Sequence, residues 1–282
     1  MAATKKAMTM EQFAADVADF GDSVETANVL IYGEPGCGKT GLLGGLPGLL
    51  FLAADPNWVT AKKMGYKPKG FRRLNTHQEL DAGLSWLEDG AYRDYQWVLV
   101  DGLNILQQKI LFQSAREAWE ENNSKRANPR QPDKPDYFFA QQAIKSMVNR
   151  LVDLPVNVVL TCHVMDVEDK DGNRSYRPHI EGRGFMVSNF VCGLMSAVGY
   201  MSNAKNARKV PVRRILWQEY SDEDKGILYF AKEQLGGVFK RFEDDMTPAQ
   251  FHEAIVGSAS DAPAQAETPK PRVRRAAAAA TR

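Results

Sequence analysis

The sequence has almost no net charge. Over 282 residues the formal balance is +1. No global basic field can therefore draw it onto nucleic acid, and any such contact must come from local patches. Cysteine is scarce. Cys37, Cys162 and Cys192 show no paired metal spacing, and the last two lie in apolar, strand-like segments. That favours reduced, buried thiols and a cytosolic setting. No apolar run reaches transmembrane length, and Lys5-Lys6 is followed by an amphipathic stretch rather than the apolar core of a signal peptide. The expectation is a cytoplasmic protein with no membrane partner. Internal repeats are absent too. The apolar fraction of 44% is ordinary for a globular chain. The length suits one large α/β domain or a domain with appendages.

One stretch organises the rest: Val29-Leu-Ile-Tyr-Gly-Glu-Pro-Gly-Cys-Gly-Lys-Thr40. It reads as a buried strand, a glycine-rich loop and the start of a helix. The loop fits G-x-x-x-x-G-K-[ST], with Gly33, Gly38, Lys39 and Thr40 in the fixed positions and Glu34, Pro35, Gly36 and Cys37 between them. Glycines let successive backbone N–H groups turn inward around a phosphate. The following helix adds its positive end. Lys39 is placed to reach the β- and γ-phosphates, and the Thr40 hydroxyl to bind Mg²⁺. A nucleoside triphosphate and Mg²⁺ are thus the expected cofactors.

Thr9 to Phe20 reads as a short amphipathic helix. The expected strands are then Asn28–Tyr32, Leu49–Ala54, Phe71–Leu74, Gln96–Val100 and Val156–Val164. Helical segments fall at Trp58–Met64, His77–Leu87, Ile105–Trp119 and Tyr137–Leu154. That alternation predicts βαβ units and a mostly parallel sheet. Glu120–Asp136 loses all apolar periodicity and reads as a loop. Asp166–Asn173 reads as a turn, with Asp171-Gly172 a hairpin signal. It does not have the ligand spacing of a calcium loop. Leu194–Met201, Lys209–Glu219 and Gly226–Glu233 read as an antiparallel meander, and Thr247-Pro248 opens a last helix through Ile255. The expected division is a lead-in over 1–25, an ATPase domain over 26–256 and a disordered Ala/Pro/Arg-rich tail over 257–282.

Trp97-Val-Leu-Val-Asp101 fits an apolar strand delivering a carboxylate to the Mg²⁺ shell. The next residue is Gly102, where many ATPases carry a glutamate base. A water-activating group must then come from elsewhere. Asp55 ends the strand after the loop helix, so parallel geometry puts it at the same sheet edge as Lys39 and Asp101. It also reads as an Asp-Pro turn former. Glu34 is a lesser candidate. His163 ends the next buried strand, as a γ-phosphate sensor or as a satisfied core histidine. Cys37, at a helix start, is either oxidation-sensitive or simply a small residue that the loop tolerates. Lys170, Arg174, Arg177 and Arg183 are interleaved with Tyr176 and Phe185. Cations with aromatics suit single-stranded nucleic acid, although most charge runs are solvated faces.

The phosphate loop, Val98-Leu-Val-Asp101, Tyr137 opening a helix that ends Leu151-Val-Asp-Leu-Pro155, Val158-Val-Leu-Thr-Cys-His163 and Gly182-Arg-Gly-Phe185 occur in this order. Together they resemble the phage-encoded P-loop ATPases with a minimal RecA-like core, the RecA-like branch of the Sak single-strand-annealing proteins. The resemblance covers about residues 26–256. It implies a RecA-like sheet extended by C-terminal antiparallel strands, and ATP-dependent annealing or recombination of single-stranded DNA in the host cytoplasm. It also implies a single-strand-binding protein as partner and homo-oligomeric rings or filaments with ATP near the interface. It makes Asp55 the acidic base, with Asp where relatives carry Glu. It makes Lys232 the cation reaching a neighbour's nucleotide, where the alternative is a solvated strand-end lysine. It assigns DNA contact to Lys170, Arg174, Tyr176, Arg177 and Arg183. A nucleotide-dependent switch with little turnover is the second reading. A small-molecule kinase is disfavoured by the lack of an arginine-rich lid.

Overall fold

The computed structural model describes residues 26–121, 128 and 130–260. The helix expected at Thr9–Phe20, Lys125 and Arg126 of the polar loop, and the tail from residue 261 lie outside them. The core is one sheet with helices on both faces. Its strands in chain order are β1 (Asn28–Gly33), β2 (Leu49–Ala53), β3 (Gly70–Arg73), β4 (Trp97–Asp101), β5 (Asn157–Glu168), β7 (Ala197–Lys205), β8 (Pro211–Leu216) and β12 (Phe242–Asp244). Across the sheet the order is β12-β8-β7-β1-β5-β4-β2-β3. From β7 to β3 every neighbour is parallel. β8 and β12 add antiparallel strands at the far edge. This is the expected mostly parallel sheet extended by C-terminal antiparallel strands. The strand that ends at the phosphate loop and the strand that ends at Asp101 are not neighbours, because β5 lies between them.

Burial on both faces explains why the central strands read as continuous apolar runs. On β1, Leu30 and Tyr32 enter one core while Val29 and Ile31 enter the other. β4 splits the same way, Val98 and Val100 against Trp97 and Leu99. The first core is closed by α3 (His77–Glu88), α4 (Leu103–Glu120), α5 (Lys134–Val152) and α6 (Met186–Leu194). The second is closed by α1 (Lys39–Leu43), α2 (Val59–Lys63) and α7 (Pro248–Ser260), through Leu42, Leu43, Ala61, Phe251 and Ile255. Each such leucine, isoleucine or phenylalanine contributes about 1.5–3 kcal/mol by leaving water.

Several expectations need correction. α5 begins at Lys134, inside the segment read as a loop, because Pro135 suits a first turn and the Asp136 carboxylate accepts the Asp133 N–H at 2.8 Å. β5 does not stop at Val164. It runs to Glu168 and forms a hairpin with β6 (Arg174–Pro178), so the turn shrinks to Asp169–Asn173 around the Asp169 carboxylate. The helix α6 was not expected. Its apolar face repeats at Val187 and Val191, a helical spacing hidden by the apolar segment that follows. The expected meander holds only for β7 and β8. β7 itself leaves α6 as a crossover and joins β1 in parallel. The remaining segment breaks into β9 (Tyr220–Asp222), β10 (Ile227–Tyr229) and β11 (Lys232–Glu233). β10 pairs parallel with β6 and antiparallel with β9, while β11 pairs with β7. Strands this short carry no readable alternation. Among the described residues, no helix is long and apolar enough to cross a membrane.

Trp97 ties α7 to the sheet. It is fully buried, its indole N–H donates to His252 Nδ1 at 3.0 Å, and its ring meets Phe251 at 5.7 Å. Trp97→Ala should therefore lower the urea-unfolding free energy by about 3–5 kcal/mol.

Candidate active site

β1 ends in the glycine-rich loop because nothing larger fits there. A Cβ on Gly33 would lie 2.0 Å from the Met201 carbonyl oxygen of β7. The loop opens into a cavity of about 280 Å³ lined by Pro35, Gly36, Gly38, Lys39 and Thr40. Lys39 is buried. Its ammonium donates to the Gly33 carbonyl at 2.8 Å and the Glu34 carbonyl at 2.9 Å, and lies 3.6 Å from Cys37 Sγ. Those carbonyls compensate a charge that would otherwise be costly to bury, and they preset the ammonium beside the phosphate position. Cys37 is itself buried, which fits a small residue that the loop tolerates. Glu34 lines a different pocket and is not among the residues that line this one.

Asp101 is the most enclosed acid of the cavity. It is 2% exposed. Its Oδ2 accepts the Thr40 hydroxyl at 2.9 Å and its Oδ1 accepts the Thr161 hydroxyl at 2.6 Å. Burial pushes this carboxyl above its ordinary range, the two hydroxyl donors pull it back in part, and Asp55 adds to the rise. No side-chain cation is hydrogen-bonded to Asp101 among the described residues. An all-oxygen pair of one hydroxyl and one carboxylate is the small protein donor set that suits Mg²⁺, which takes its other ligands from water and phosphate. Thr40 and Asp101 would hold the ion, and its charge would neutralise phosphate oxygens when bound.

Asp55 and His163 face the same cavity. Asp55 is the turn former that its sequence allowed, and it also lines the cavity. Its Oδ1 accepts the Asn57 N–H at 2.7 Å and caps the short 3₁₀ turn Pro56–Trp58, while its Oδ2 lies 3.8 Å from His163 Nε2. His163 is positioned by Asn104 of α4. Asn104 Oδ1 accepts the His163 backbone N–H at 3.2 Å, and its amide nitrogen lies 3.0 Å from Nδ1. With Nδ1 accepting, the neutral ring carries its proton on Nε2, toward Asp55. The nearby His163 ring is the largest influence on the Asp55 carboxyl and holds it below its usual value, against the opposing effect of burial. A carboxylate so stabilised is a weak proton acceptor, better suited to orienting a water than to taking its proton.

Gly102 explains the missing glutamate. Its φ is +93°, a conformation open to glycine, and a Cβ there would meet the Asp55 Cβ at 3.0 Å. Asp55 occupies the space where a side chain after Asp101 would project. The Ala54 and Asp55 N–H groups both donate to the Asp101 carbonyl at 3.0 Å, which locks the two strand ends together.

Three positions escaped sequence reasoning. Thr161 bridges Asp101 and the Gly102 N–H, which donates to its Oγ1 at 2.8 Å. Asn104 orients the histidine. Arg213 of β8 lies over the loop, so that a Cβ on Gly38 would sit 2.7 Å from its Cδ. Thr161 was findable as a polar residue inside an otherwise apolar strand; the other two approach from distant sequence. Lys232 is not in the cavity. Its ammonium donates to the Cys192 carbonyl at 2.8 Å and the Gly193 carbonyl at 3.3 Å, at the end of α6, and burial lowers its pKa. The basic set lies on and after the β5–β6 hairpin. Lys170 and Arg183 are exposed. Arg174 is paired with Asp166. Arg177 lies over Phe185 at 5.6 Å and Phe230 at 5.4 Å, with Tyr176 beside it in β6.

Residues 25–233 match the family described as AAA domain. The chain belongs to that AAA-domain family. Among solved structures, a KaiC-like protein from the hyperthermophilic archaeon Pyrococcus horikoshii OT3 has 12% identity and a TM-score of 0.34, over 67% of this chain and 78% of that one. At that level the fold assignment rests on the strand order itself. No curated protein matches the chain. Membership of the AAA-domain family accounts for the phosphate loop and the carboxylate strand, and it marks the chain as a P-loop protein of the nucleotide-binding type.

Two outcomes follow from the buried carboxylate. Mg²⁺ and protons compete at Asp101, whose pKa is raised. Mg²⁺-dependent nucleotide binding should therefore weaken as pH falls through a midpoint above the usual carboxylate range, and that midpoint should move down as Mg²⁺ is increased. Titrating binding against pH at two Mg²⁺ concentrations checks this. Thr161→Val removes a partner from both Asp101 and the Gly102 N–H. It should cost about 1–3 kcal/mol in chemical denaturation and move the midpoint further up.

Proposed function

We propose that this protein is an ATP-hydrolysing DNA recombination protein that promotes annealing of single strands. The observation that carries the reading is the continuity of β5. One strand presents Thr161 and His163 to the phosphate cavity and then runs on, through Glu168, into the hairpin that carries Lys170, Arg174, Tyr176 and Arg177. A change of contacts at a terminal phosphate would bias His163, and the same strand would pass the difference to a basic and aromatic hairpin. In this reading Lys39 and the loop hold the phosphates, Asp55 orients the attacking water and His163 senses the γ-phosphate. Lys170, Arg174, Tyr176, Arg177 and Arg183 contact the single strand. Homo-oligomers, as rings or filaments, would bring Lys232 or another cation to a neighbour's nucleotide, with a single-strand-binding protein as partner.

A second reading, a nucleotide-dependent switch or accessory factor of phage replication with little turnover, draws support from the low basicity of Asp55. The two separate in one assay. ATP hydrolysis should rise on addition of single-stranded DNA and fall to background in Lys39→Ala. ATP binding with no turnover and no DNA retained on a gel would favour the switch and overturn the recombination reading. Phosphate transfer to a nucleoside would instead point to a kinase.

A further inference from the structure

On the far side of the phosphate loop lies a second cavity of about 560 Å³, within the ~300–1,000 Å³ range of small-ligand sites. Its walls come from β6, β7, β8, β9, β10 and β12, and five aromatic rings line it: Tyr176, Tyr200, Tyr220, Tyr229 and Phe242. The rings are not packed as a closed core. Tyr200 and Tyr229 are tilted at 37° with centroids 5.0 Å apart, and Tyr220 stacks near Tyr229 at 6.2 Å and 21°. Tyr176, Tyr220 and Tyr229 are only half-buried, and Phe242 is 39% exposed. The hydroxyls divide in an informative way. Tyr32, one layer deeper, donates its hydroxyl toward the Tyr176 and Phe230 carbonyls, at 2.9 and 2.6 Å. The hydroxyls of the four tyrosines that line the cavity have no hydrogen-bond partner among the described residues. The cavity therefore presents π faces together with free donors and acceptors.

We propose that this cavity binds an unpaired nucleobase of a single-stranded nucleic acid, and so deepens the DNA-directed reading on which it rests. Every base has a face to stack on aromatic rings and polar edges for the hydroxyls. The charges argue against a free nucleotide. Of the lining cations, Arg214 is held bidentately by Asp244 at 2.6 and 2.8 Å and Lys225 by Asp222 at 2.8 Å, which leaves Lys205 without a carboxylate partner among the described residues. Glu34 and Asp222 add negative charge to the walls. A free triphosphate would find little compensation here. A base within a strand brings a diester charge that stays outside, near the rim cation Arg241, which lies over Tyr220 at 4.8 Å.

The cavity also touches the phosphate loop. Glu34 lines it, and its carbonyl accepts a hydrogen bond from the Lys39 ammonium. Tyr200 and Met201 of β7 lie in register with Tyr32 and Gly33 of β1. A stacked base would therefore bear on the strand that closes against Gly33.

The test compares a fluorescently labelled oligothymidylate with the same strand carrying abasic sites, read by anisotropy at fixed salt with ATP and Mg²⁺ present. The full chain should bind the base-bearing strand about tenfold or more tightly than the abasic one. Tyr229→Ala and Tyr220→Ala should each shrink that ratio, while Tyr229→Trp should restore it and thermal melts report that each variant is folded. If the wild type binds both strands equally, or the alanine variants keep the ratio, the base pocket is overturned and the DNA-directed reading stands. If the wild type binds neither strand, both fall. If free thymidine monophosphate displaces the strand at comparable concentration, the pocket takes nucleotides rather than strands and the inference is overturned.

Discussion

The hydrogen-bond chain Thr40–Asp101–Thr161 holds the molecule's chemistry in place. It links the helix after the phosphate loop, the end of β4 and the middle of β5 through one carboxylate, at 2.9 and 2.6 Å. Removing a carboxylate from water is costly unless donors replace the lost hydration. Here two hydroxyls do so, and they leave the charge itself uncompensated by any hydrogen-bonded side-chain cation among the described residues. The carboxyl is consequently poised, its proton affinity raised by burial. That is the state in which a divalent cation would be gained most readily. The chain can exist only because β5 lies between β1 and β4. Had the phosphate-loop strand and the carboxylate strand been neighbours, Thr161 would have no place beside Asp101.

The second carboxylate works against the first. Asp55 and Asp101 share one cavity, and each would raise the other's pKa if nothing intervened. His163, held by Asn104, takes up the difference from 3.8 Å away, so Asp55 stays low while Asp101 goes high. One acid is thereby prepared for a cation and the other for a water. Gly102 makes the pairing geometrically possible, since any side chain there would press on Asp55. The missing glutamate and the aspartate at the end of β2 are thus a single structural fact.

Much of this was legible along the chain. The phosphate loop is a contiguous signature, and the double-sided burial of β1, β2, β4 and β5 announces itself as unbroken apolar runs. Asp55 was legible as following a strand end and His163 as the end of the stretch of β5 that pairs in parallel, because parallel strands deliver their C-terminal residues to one sheet edge. The segments after His163 were less legible. β5 extends into a hairpin because cross-strand pairing with β6 overrides the polar character of Asp166 and Glu168. α6 hides beside another apolar segment. β9, β10 and β11 are too short to show alternation, and their partners β6 and β7 lie far away in sequence.

The sequence alone determined the phosphate loop, the identity of the carboxylate strand and the alternating α/β plan. Each is written in local spacing, which a chain carries before it folds. Only the tertiary structure decided that Asp55 lies against Gly102 and within reach of His163, that Thr161 completes the Asp101 site, that Lys232 points to the end of α6, and that tyrosines from four strands gather around one cavity. Those relations depend on strand order and register. They are set by which apolar faces bury against one another, and no single segment encodes them.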